Sequence, residues 1–395
     1  NVRHLEPGHY LVVDLEKNKI VKEECYWDIA DIKENKEISI EEYQENIETL
    51  LKNATEIRLR SDVEVGAFLS GGLDSSLITA LMREIRPKDR IKTFSVGFNE
   101  KRFDESEYAK YVAEKYHLEN TTFVLEGDII DYWNKVTFHN DQPHGDISFI
   151  PTYILSERTA KELKVVLTGD GGDELFAGYL KYLELERHGD SDLYFSNSSV
   201  FNSEQLRSTL SEQFIKDVNP NHAKGLFDEH LEKVAHKDII NQVLYYEVKQ
   251  LLPGNNLVKP DKMAMANSLE TRSPFMDYRL FEYTSQIPGK LKLNDGDTKH
   301  ILKKIALKYF KESHVYRKKQ MFTVPVGEWF KEKLSIYLLE IVKSDSLKSR
   351  GIWNVNQLEK MAYDHISGKE NFTRQLRAVV NLELWFRTFI DDKNY

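Results

Sequence analysis

The chain has 395 residues, 41% apolar and 30% charged, a composition typical of a globular protein with a sizeable core and room for two domains. Its net charge of −9 argues against a general nucleic-acid-binding protein, which would usually be basic. Cys25 is the only cysteine, so no disulfide can form within the chain, and no apolar run approaches the roughly 20 residues needed to cross a membrane.

The first 60 residues begin with short extended pieces. Tyr10–Val13 is a predicted strand that follows the turn Pro7-Gly8. Residues 40–60 have apolar side chains at helical spacing and predict an amphipathic helix. Its apolar stripe consists of Tyr43, Ile47, Leu50, Leu51 and Ala54.

Strands and helices then alternate as far as about residue 168. The predicted strands are Glu64–Leu69, Ile91–Val96, Thr121–Val124 and Val165–Thr168. The predicted helices are Ser75–Arg83, Glu105–Tyr116, Ile129–Phe138 and Thr152–Lys161. This alternation predicts an α/β fold, in which a parallel sheet has helices on both faces and ligands bind beyond the carboxyl ends of the strands.

Beyond about residue 180 the strand signals fade and helical periodicity dominates. We therefore predict three regions. Residues 1–60 contain linker strands and a leading helix, residues 61–180 form the α/β core, and residues 181–395 form a largely helical part that completes the site.

A glycine-rich loop lies between the first core strand and the following helix. Its sequence is Ser70-Gly71-Gly72-Leu73-Asp74-Ser75-Ser76. Adjacent glycines let backbone amides turn inward without Cβ clashes, and the helix start adds N–H groups and a positive dipole end. These features predict an anion site. The loop lacks the lysine of a Walker A sequence, so it is not an ordinary P-loop.

A second glycine-rich loop, Thr168–Glu174, follows the last predicted strand of the core. Its three carboxylates are those of Asp170, Asp173 and Glu174. Such crowding is costly unless a cation or a polar network compensates, and Mg²⁺ prefers carboxylate and phosphate oxygens. The loop therefore predicts a magnesium site; an acidic turn exposed to water is the alternative.

Two later segments are less specific by themselves. In Asp261–Asp277, the spacing of Met263, Ala266 and Glu270 predicts one side of a packed helix with a salt bridge. The basic segment Tyr316–Phe322 predicts a solvated face.

Taken together, these four segments resemble the synthetase domain of glutamine-dependent asparagine synthetases over nearly the whole chain. The first loop resembles the pyrophosphate loop, S-G-G-x-D-S, of ATP pyrophosphatases, and Phe94–Phe98 resembles the strand whose backbone receives adenine. Thr168–Tyr179 resembles the second loop of the family, and Asp261–Asp277 resembles its D-K-x-x-M-A-x-S-x-E-x-R-x-P-x-x-D segment. The resemblance implies an adenine nucleotide alpha hydrolase-like (PP-loop) fold in the core.

The resemblance also implies roles for individual residues. Asp74 and Asp173 would hold Mg²⁺ on the pyrophosphate, and Lys319 and Arg272 would stabilise charge on that leaving group. Asp170, which stands where many members have Glu, would accept a proton from ammonia or orient the substrate. The implied nucleotide-binding residues are Ser70, Gly71, Gly72, Asp74, Ser75, Ser76, Ser95, Val96, Gly97, Gly169, Gly171, Gly172 and Tyr179.

The role implied for Glu270 is to orient Lys319 or Arg272. Met321 departs from the family pattern, because many relatives have Gly at this position before Phe322.

The implied reaction is a two-step ligation that uses ATP and Mg²⁺. A carboxylate, aspartate on the resemblance, attacks the α-phosphorus of ATP, pyrophosphate leaves, and ammonia then displaces AMP to form asparagine. The glutaminase of the family uses a cysteine at residue 1, where this chain has Asn1. The resemblance therefore implies a separate glutaminase domain or subunit as the source of ammonia, and it leaves a homodimer open. We expect a cytoplasmic protein without nucleic-acid or membrane partners.

Three alternatives stay open on the sequence. An amide-forming relative could modify a sugar acid, a peptide or a β-amino acid, as lasso-peptide cyclases and β-lactam synthetases do. The latter tend to carry a Tyr–Glu pair as base, which the sequence alone does not place. The chain could also be a non-catalytic nucleotide-binding module, or a helical scaffold with Trp329, Trp353 and Trp385 at an interface.

Overall fold

A computed structural model describes residues 3–98, 104–125, 129–146, 148–318 and 326–391. Its strands are β1 His9–Asp14, β2 Lys19–Cys25, β3 Val65–Phe68, β4 Lys92–Gly97, β5 Glu119–Val124, β6 Val165–Leu167 and β7 Glu270–Arg272. The helices of the first 180 residues are α1 Ile40–Arg58, α2 Leu73–Ile85, α3 Ser106–Tyr116, α4 Ile129–Asn140, α5 Phe149–Thr159 and α6 Gly172–Phe176.

The remainder of the described chain is almost entirely helical. Its α-helices are α7 Lys181–His188, α8 Ser191–Ser198, α9 Ser203–Thr209, α10 His222–Lys233, α11 Ile239–Tyr246, α12 Val258–Met265, α13 Tyr278–Thr284, α14 Gly289–Lys292, α15 His300–Ala306, α16 Glu312–Val315, α17 Val326–Lys331, α18 Ser335–Lys343, α19 Asp345–Ser349, α20 Val355–Ile366 and α21 Thr373–Phe389. A π-helix, Glu247–Asn256, joins α11 to α12, and short 3₁₀ turns lie at Phe214–Lys216 and Pro274–Met276.

A five-stranded parallel sheet organises the core. Its strand order is β5-β4-β3-β6-β7, and every neighbouring pair is parallel. The central strand β3 lies next to β6, so the loops that follow these two strands emerge side by side at the carboxyl edge. That edge is where ligands bind in sheets of this kind.

Both faces of the sheet are covered, as predicted. Leu167 of β6 packs into a core cluster with α1 and α2 residues such as Leu51 and Leu77. The preceding residue, Val166, points the opposite way and packs with Leu155 of α5 and Ala264 of α12. The α/β class with a parallel sheet and a largely helical C-terminal part is confirmed.

The leading helix is also confirmed. The side chain of Ser39 accepts a hydrogen bond from the Glu42 amide at 3.1 Å and caps α1. Tyr43, Ile47 and Leu51 are buried along one stripe of the helix, at the spacing the sequence predicts. Burial of this stripe against the sheet holds α1 in place.

The helix predicted through Glu270 is wrong. α12 ends at Met265, and Ser268 has a left-handed backbone with φ of 56°. The chain then runs back as β7, whose residues Glu270–Arg272 pair with β6. Without β7, the buried strand β6 would have an unpaired edge, so pairing across the sheet outweighs the helical spacing.

The three tryptophans named above do not form an open patch. Trp329 is buried in a core cluster of the C-terminal part, and Trp353 packs against that cluster. Trp385 donates a hydrogen bond to the backbone oxygen of Asp141 at 2.9 Å. Within the described residues, no helix combines the length and the apolar character needed to span a bilayer.

Candidate active site

The two glycine-rich loops touch each other at their glycines. A Cβ on Gly169 would lie 2.8 Å from the Ser75 amide nitrogen, and a Cβ on Gly172 would lie 2.6 Å from Oδ1 of Asp74. Contacts this short leave no room for a side chain at either position. The first glycine-rich loop, residues 70–76, and the acidic loop, residues 168–174, are therefore neighbours, as expected because they follow adjacent strands.

The hydroxyl groups of the first loop hold its own backbone. The hydroxyls of Ser70 and Ser75 lie 3.0 Å apart, and the Gly72 amide donates to Ser70 Oγ at 3.2 Å. The first hydrogen bond inside α2 runs from the Ser76 amide to the Gly72 carbonyl, so the amides of residues 73–75 precede it. Such leading amides are the groups with which a helix N-terminus binds an anion.

Arg317 braces this loop from outside. Its guanidinium donates to the Gly71 carbonyl at 3.1 Å and lies 2.6 Å from Glu105, over the ring of Tyr108. Gly71 itself has φ of 74° and packs so closely on α3 that a Cβ would lie 2.7 Å from the Tyr108 Cβ. The loop is thus held in one shape by contacts from a segment far along the chain.

Sequence reasoning missed Lys299. This residue is buried, with 5% of its surface exposed. Its ammonium lies 2.7 Å from Oδ1 of Asp173 and also contacts Oδ2 of Asp74. Burial lowers the pKa of Lys299, but the two carboxylates outweigh burial and raise that pKa above its ordinary value, so the side chain is charged. No motif spacing links Lys299 to either loop, so nothing in the sequence signalled this role.

The donor set at this point suits a divalent cation. Asp74 and Asp173 lie in the first turns of α2 and α6, and both carboxylates converge on the single ammonium of Lys299. Two carboxylates that converge on one position are typical of a magnesium site shared with phosphate oxygens. The residues present therefore fit Mg²⁺.

The residues predicted to receive adenine lie at the end of β4. The Ser95 hydroxyl is turned into the sheet, where it donates to the Leu69 carbonyl at 2.6 Å. The Gly97 carbonyl accepts a hydrogen bond from the Leu125 amide at 3.0 Å, and Val96 pairs with Phe123. This strand end lies beside the first loop because β4 is the neighbour of β3.

Glu174, the last residue of the acidic loop, is buried and pairs with the half-buried Tyr179. The Tyr179 hydroxyl donates to Oε1 of Glu174 at 2.5 Å, and the Asn256 amide contacts the same oxygen. Burial, followed by the nearby Asp173 charge, raises the pKa of Glu174 to about 7. The carboxyl group can therefore exchange a proton near neutral pH.

The remaining predicted residues divide into two groups. Asp170 lies in the acidic loop, and its backbone oxygen accepts a hydrogen bond from the Ser273 hydroxyl at 2.5 Å. Arg272 instead points toward the C-terminal end of α1, where it donates to the carbonyls of Arg58 and Arg60 at 2.9 and 2.8 Å. Glu270 accepts from Arg272 at 2.7 Å.

These contacts show Arg272 in a structural position, and its role at the leaving group stays a prediction. The predicted residue Lys319, with Met321, lies outside the described residues.

Comparisons with known proteins cover most of the chain. Residues 46–387 match the protein family described as asparagine synthase. Glutamine-hydrolyzing asparagine synthetase 1 of Bacillus subtilis is 30% identical over an alignment of 381 positions that covers 86% of this chain and 58% of that protein. Glutamine-hydrolyzing asparagine synthetase 3 of the same organism is 27% identical, with 84% and 57% covered.

A relative with a different name also matches. Amidase chyE of Penicillium rubens is 24% identical over an alignment that covers 90% of this chain and 64% of the amidase. The chain thus spans 57–64% of the length of these three relatives.

Proposed function

This chain belongs to the asparagine synthase family, and from that premise we propose that it is an ATP-dependent ligase that adenylates a carboxylate and converts it to an amide. Aspartate is the proposed carboxylate, ammonia the nitrogen donor, and AMP and pyrophosphate the other products. The observation that carries the proposal is the direct packing of the two glycine loops, with Asp74 and Asp173 converging on one cation position.

The first step requires binding of the triphosphate. The leading amides of α2 and the loop hydroxyls would hold phosphate oxygens, because they present donors and a positive dipole end. Mg²⁺, held by Asp74 and Asp173, would neutralise charge on the departing pyrophosphate. The ammonium of Lys299 contacts the same two carboxylates and would supply a second positive charge beside the Mg²⁺.

The second step requires a proton acceptor. Ammonia enters this reaction as a neutral nucleophile, so a proton must leave the nitrogen as the amide forms. The carboxylate of Asp170 lies in the acidic loop and is proposed to accept that proton. Positioning of the nucleophile and the acyl-adenylate supplies the remainder of the rate enhancement.

A direct assay tests the proposal. ATP, aspartate, ammonium salt and Mg²⁺ should give AMP and pyrophosphate in equal amounts, and ATP–pyrophosphate exchange should depend on aspartate. D74N and D173N should each reduce exchange by at least 100-fold. D192N is the matched control, because Asp192 is exposed on α8 and should leave exchange unchanged. Formation of ADP and phosphate would contradict the proposed adenylation.

The Tyr179–Glu174 pair favours a second candidate, in which an organic amine rather than ammonia attacks the adenylate. A Tyr–Glu pair is the base expected for the relatives that act on β-amino acids, and Glu174 has a pKa of about 7. A panel of carboxylic acids and amines, scored by AMP formation, separates the candidates. If Glu174 is the base, the rate of amide formation by the wild-type protein should fall below about pH 7, and E174Q should abolish this fall. An unchanged pH dependence in E174Q would exclude Glu174 as the base.

A partner that supplies ammonia is proposed as well. In the hairpin β1–β2, all of β2 and the middle of β1 are exposed and show apolar side chains to solvent. These side chains are Leu11, Val12, Val13, Leu15, Ile20 and Val21. An exposed two-stranded hairpin is marginally stable alone, so a covering glutaminase domain or subunit would stabilise it. Glutamine-dependent amide formation only after addition of such a partner would support this.

A further inference from the structure

Lys299 has a strained backbone conformation at the N-cap of α15. Its φ is 55°, in the left-handed region that residues other than glycine rarely adopt. The preceding turn is also left-handed at Asp295 and Gly296, with φ of 49° and 81°. Backbone hydrogen bonds between Asn294 and Asp297, at 2.8 and 3.2 Å, close that turn. Strain of this kind persists only where the surrounding structure enforces it, and it is common at functional sites.

The side chain of Lys299 passes Gly178 on its way to the two glycine loops. A Cβ at Gly178 would overlap both Cε of Lys299 and Oδ1 of Asp173, so glycine leaves the room that the lysine needs. Lys299 is buried, and its ammonium contacts the carboxylates of Asp74 and Asp173. The ammonium therefore occupies the point at which these two carboxylates converge.

The ammonium compensates half of the negative charge at this point. One positive charge faces two carboxylates, whose side chains are 17% and 20% exposed. A divalent cation by itself would match the charge of the two carboxylates, whereas a divalent cation together with the ammonium would exceed it. Two cations on the same carboxylates also repel each other, and they do so more strongly in a half-buried site than in water. Lys299 and a free divalent cation therefore compete for Asp74 and Asp173.

A bound triphosphate would change this balance of charge. Asp74 lies in the first turn of α2, whose leading amides are proposed to hold phosphate oxygens. Those oxygens would add negative charge beside the ammonium, so that the site can hold the lysine and a divalent cation together. Lysine has a flexible four-carbon stem and three donors, which suits it to pass its ammonium from a carboxylate to a phosphate oxygen. The strained turn that ends at Lys299 is the backbone that this movement would release.

We propose that Lys299 closes the divalent-cation position until a nucleotide binds. Its ammonium holds Asp74 and Asp173 together, excludes a free divalent cation, and passes to phosphate oxygens when the cation enters with the triphosphate. This inference rests on the proposed function, which places Mg²⁺ at these carboxylates. It adds that the site selects the metal–nucleotide complex over the free metal. Metal and triphosphate then bind cooperatively, because each favours the displaced position of Lys299.

Binding of Mn²⁺ without nucleotide tests the proposal. The EPR signal of free Mn²⁺ gives the dissociation constant and needs no turnover. The wild-type protein should bind Mn²⁺ weakly, and K299M should bind one Mn²⁺ per chain about 10- to 100-fold more tightly. K304M is the control that removes the same charge from α15, and Lys304 has no ion pair among the described residues. Its Mn²⁺ affinity should equal that of the wild-type protein.

A second variant and a nucleotide analogue locate the effect. K299M/D173N should lose the tighter binding, because one of the two carboxylates is then neutral. An ATP analogue that cannot be cleaved between its α and β phosphates should reduce the difference in Mn²⁺ affinity between wild type and K299M, after correction for Mn²⁺ bound to the analogue alone. Equal Mn²⁺ affinity in wild type and K299M, tight binding that persists in K299M/D173N, or a difference that the analogue leaves unchanged would overturn the proposal.

The test also covers variants that fold poorly. K299Q removes the charge but keeps a side chain that donates hydrogen bonds, so it replaces K299M if that variant does not fold. If neither variant folds alone, Mn²⁺ should restore the folded state at concentrations that leave the unfolding temperature of the wild-type protein unchanged. Failure of Mn²⁺ to restore it would overturn the proposal.

Failure of the proposed function gives a different result. Mn²⁺ binding requires neither an acceptor nor turnover. If no carboxylic acid supports ATP–pyrophosphate exchange, adenylation falls, while Mn²⁺ binding that K299M tightens and K299M/D173N loses would still support the role of Lys299. If the wild-type protein shows exchange with aspartate but K299M gains no Mn²⁺ affinity, adenylation stands and the inference about Lys299 falls.

Discussion

The ammonium of Lys299 lies 2.7 Å from the carboxylate of Asp173, and the same ammonium contacts Asp74. One buried cation thus joins the first turns of two helices that follow neighbouring strands. Two carboxylates held this close repel each other unless a positive charge lies between them. Lys299 therefore stabilises the arrangement of the two loops before any nucleotide or metal binds.

Replacement of Lys299 with methionine should destabilise the protein and reduce its activity. The substitution leaves two half-buried carboxylates without their shared cation, and breaking a buried pair costs about 3–5 kcal/mol. Urea unfolding of K299M should show this loss, and added Mg²⁺ should restore part of it. K304M is the matched control, because Lys304 lies on α15, the helix that follows Lys299, and has no ion pair among the described residues. A K299M protein as stable as K304M would contradict the bridging role.

Alanine at Gly172 should displace the carboxylate of Asp74. The added Cβ would lie 2.6 Å from Oδ1 of Asp74, and a carboxylate group can rotate away. We expect at least a 10-fold loss of ATP–pyrophosphate exchange with a stability change below about 1 kcal/mol. Gly172 is not among the glycines with a positive φ, so alanine adds no backbone strain there.

Alanine at Gly169 should act differently, because its Cβ would meet the Ser75 backbone nitrogen, which cannot rotate away. G169A should lower the free energy of unfolding by about 1–3 kcal/mol. G225A serves as control for both variants, since a Cβ at Gly225 in α10 meets nothing within 4 Å. If G169A and G225A unfold at the same urea concentration, the tight packing of the two loops is refuted.

Replacement of Arg272 separates its structural contacts from a role in catalysis. Its guanidinium donates to the Arg58 and Arg60 carbonyls, which are left without these donors in R272M. Unpaired acceptors of this kind cost about 1–3 kcal/mol. Urea unfolding measures that loss, and exchange assays below the unfolding transition measure kcat. Normal kcat with lowered stability means that Arg272 supports α1; a kcat loss above 100-fold means that it acts on the leaving group.

His314 should make the protein sensitive to acid. Burial, then the charges of Arg317 and Lys115, lowers the pKa of His314 to about 4 from 6.5. The unfolded chain therefore binds a proton at a higher pH than the folded chain. Stability is complete above about pH 6.5 and is lost as pH falls toward 4, by about 2 kcal/mol between pH 7.5 and pH 5.

The variant H314Q removes this titration. Its free energy of unfolding, measured in urea at pH 7.5 and pH 5, should fall by about 2 kcal/mol less than that of the wild-type protein. His222 lies on α10 and is exposed, so H222Q is the control and should retain the wild-type pH dependence. Equal pH dependence in H314Q and H222Q would show that His314 does not titrate in this range.

The central part of the fold could be predicted from the sequence because its signals are local. Each strand from β3 to β6 contains a short run rich in β-branched, aromatic or other apolar residues and is followed by a helix, and both glycine loops lie at strand ends. Parallel pairing then brings the loops together at one edge. The chemistry of the loops could be predicted for the same reason, because consecutive residues supply both the glycines that determine the backbone geometry and the carboxylates next to them.

The parts that could not be predicted depend on contacts between distant residues. β7 has only three residues, and its stability comes from pairing with Val165–Leu167, about a hundred residues earlier. Lys299 lies 225 residues from Asp74, so no spacing rule connects them. The direction of the Arg272 side chain follows from its pairing with Leu167, and a motif match cannot supply that direction.

β7 is translated about a hundred residues after its partner β6, which affects folding during synthesis on the ribosome. A nascent chain that ends near residue 260 already contains both glycine loops, yet β6 still has an open edge and the acidic loop has no counter-ion. Arg317, which braces Gly71 from 246 residues away, is added later still. Such long-range closure slows folding and leaves strand edges exposed to other chains. The capacity to bind a nucleotide is therefore acquired only after most of the polypeptide has been translated.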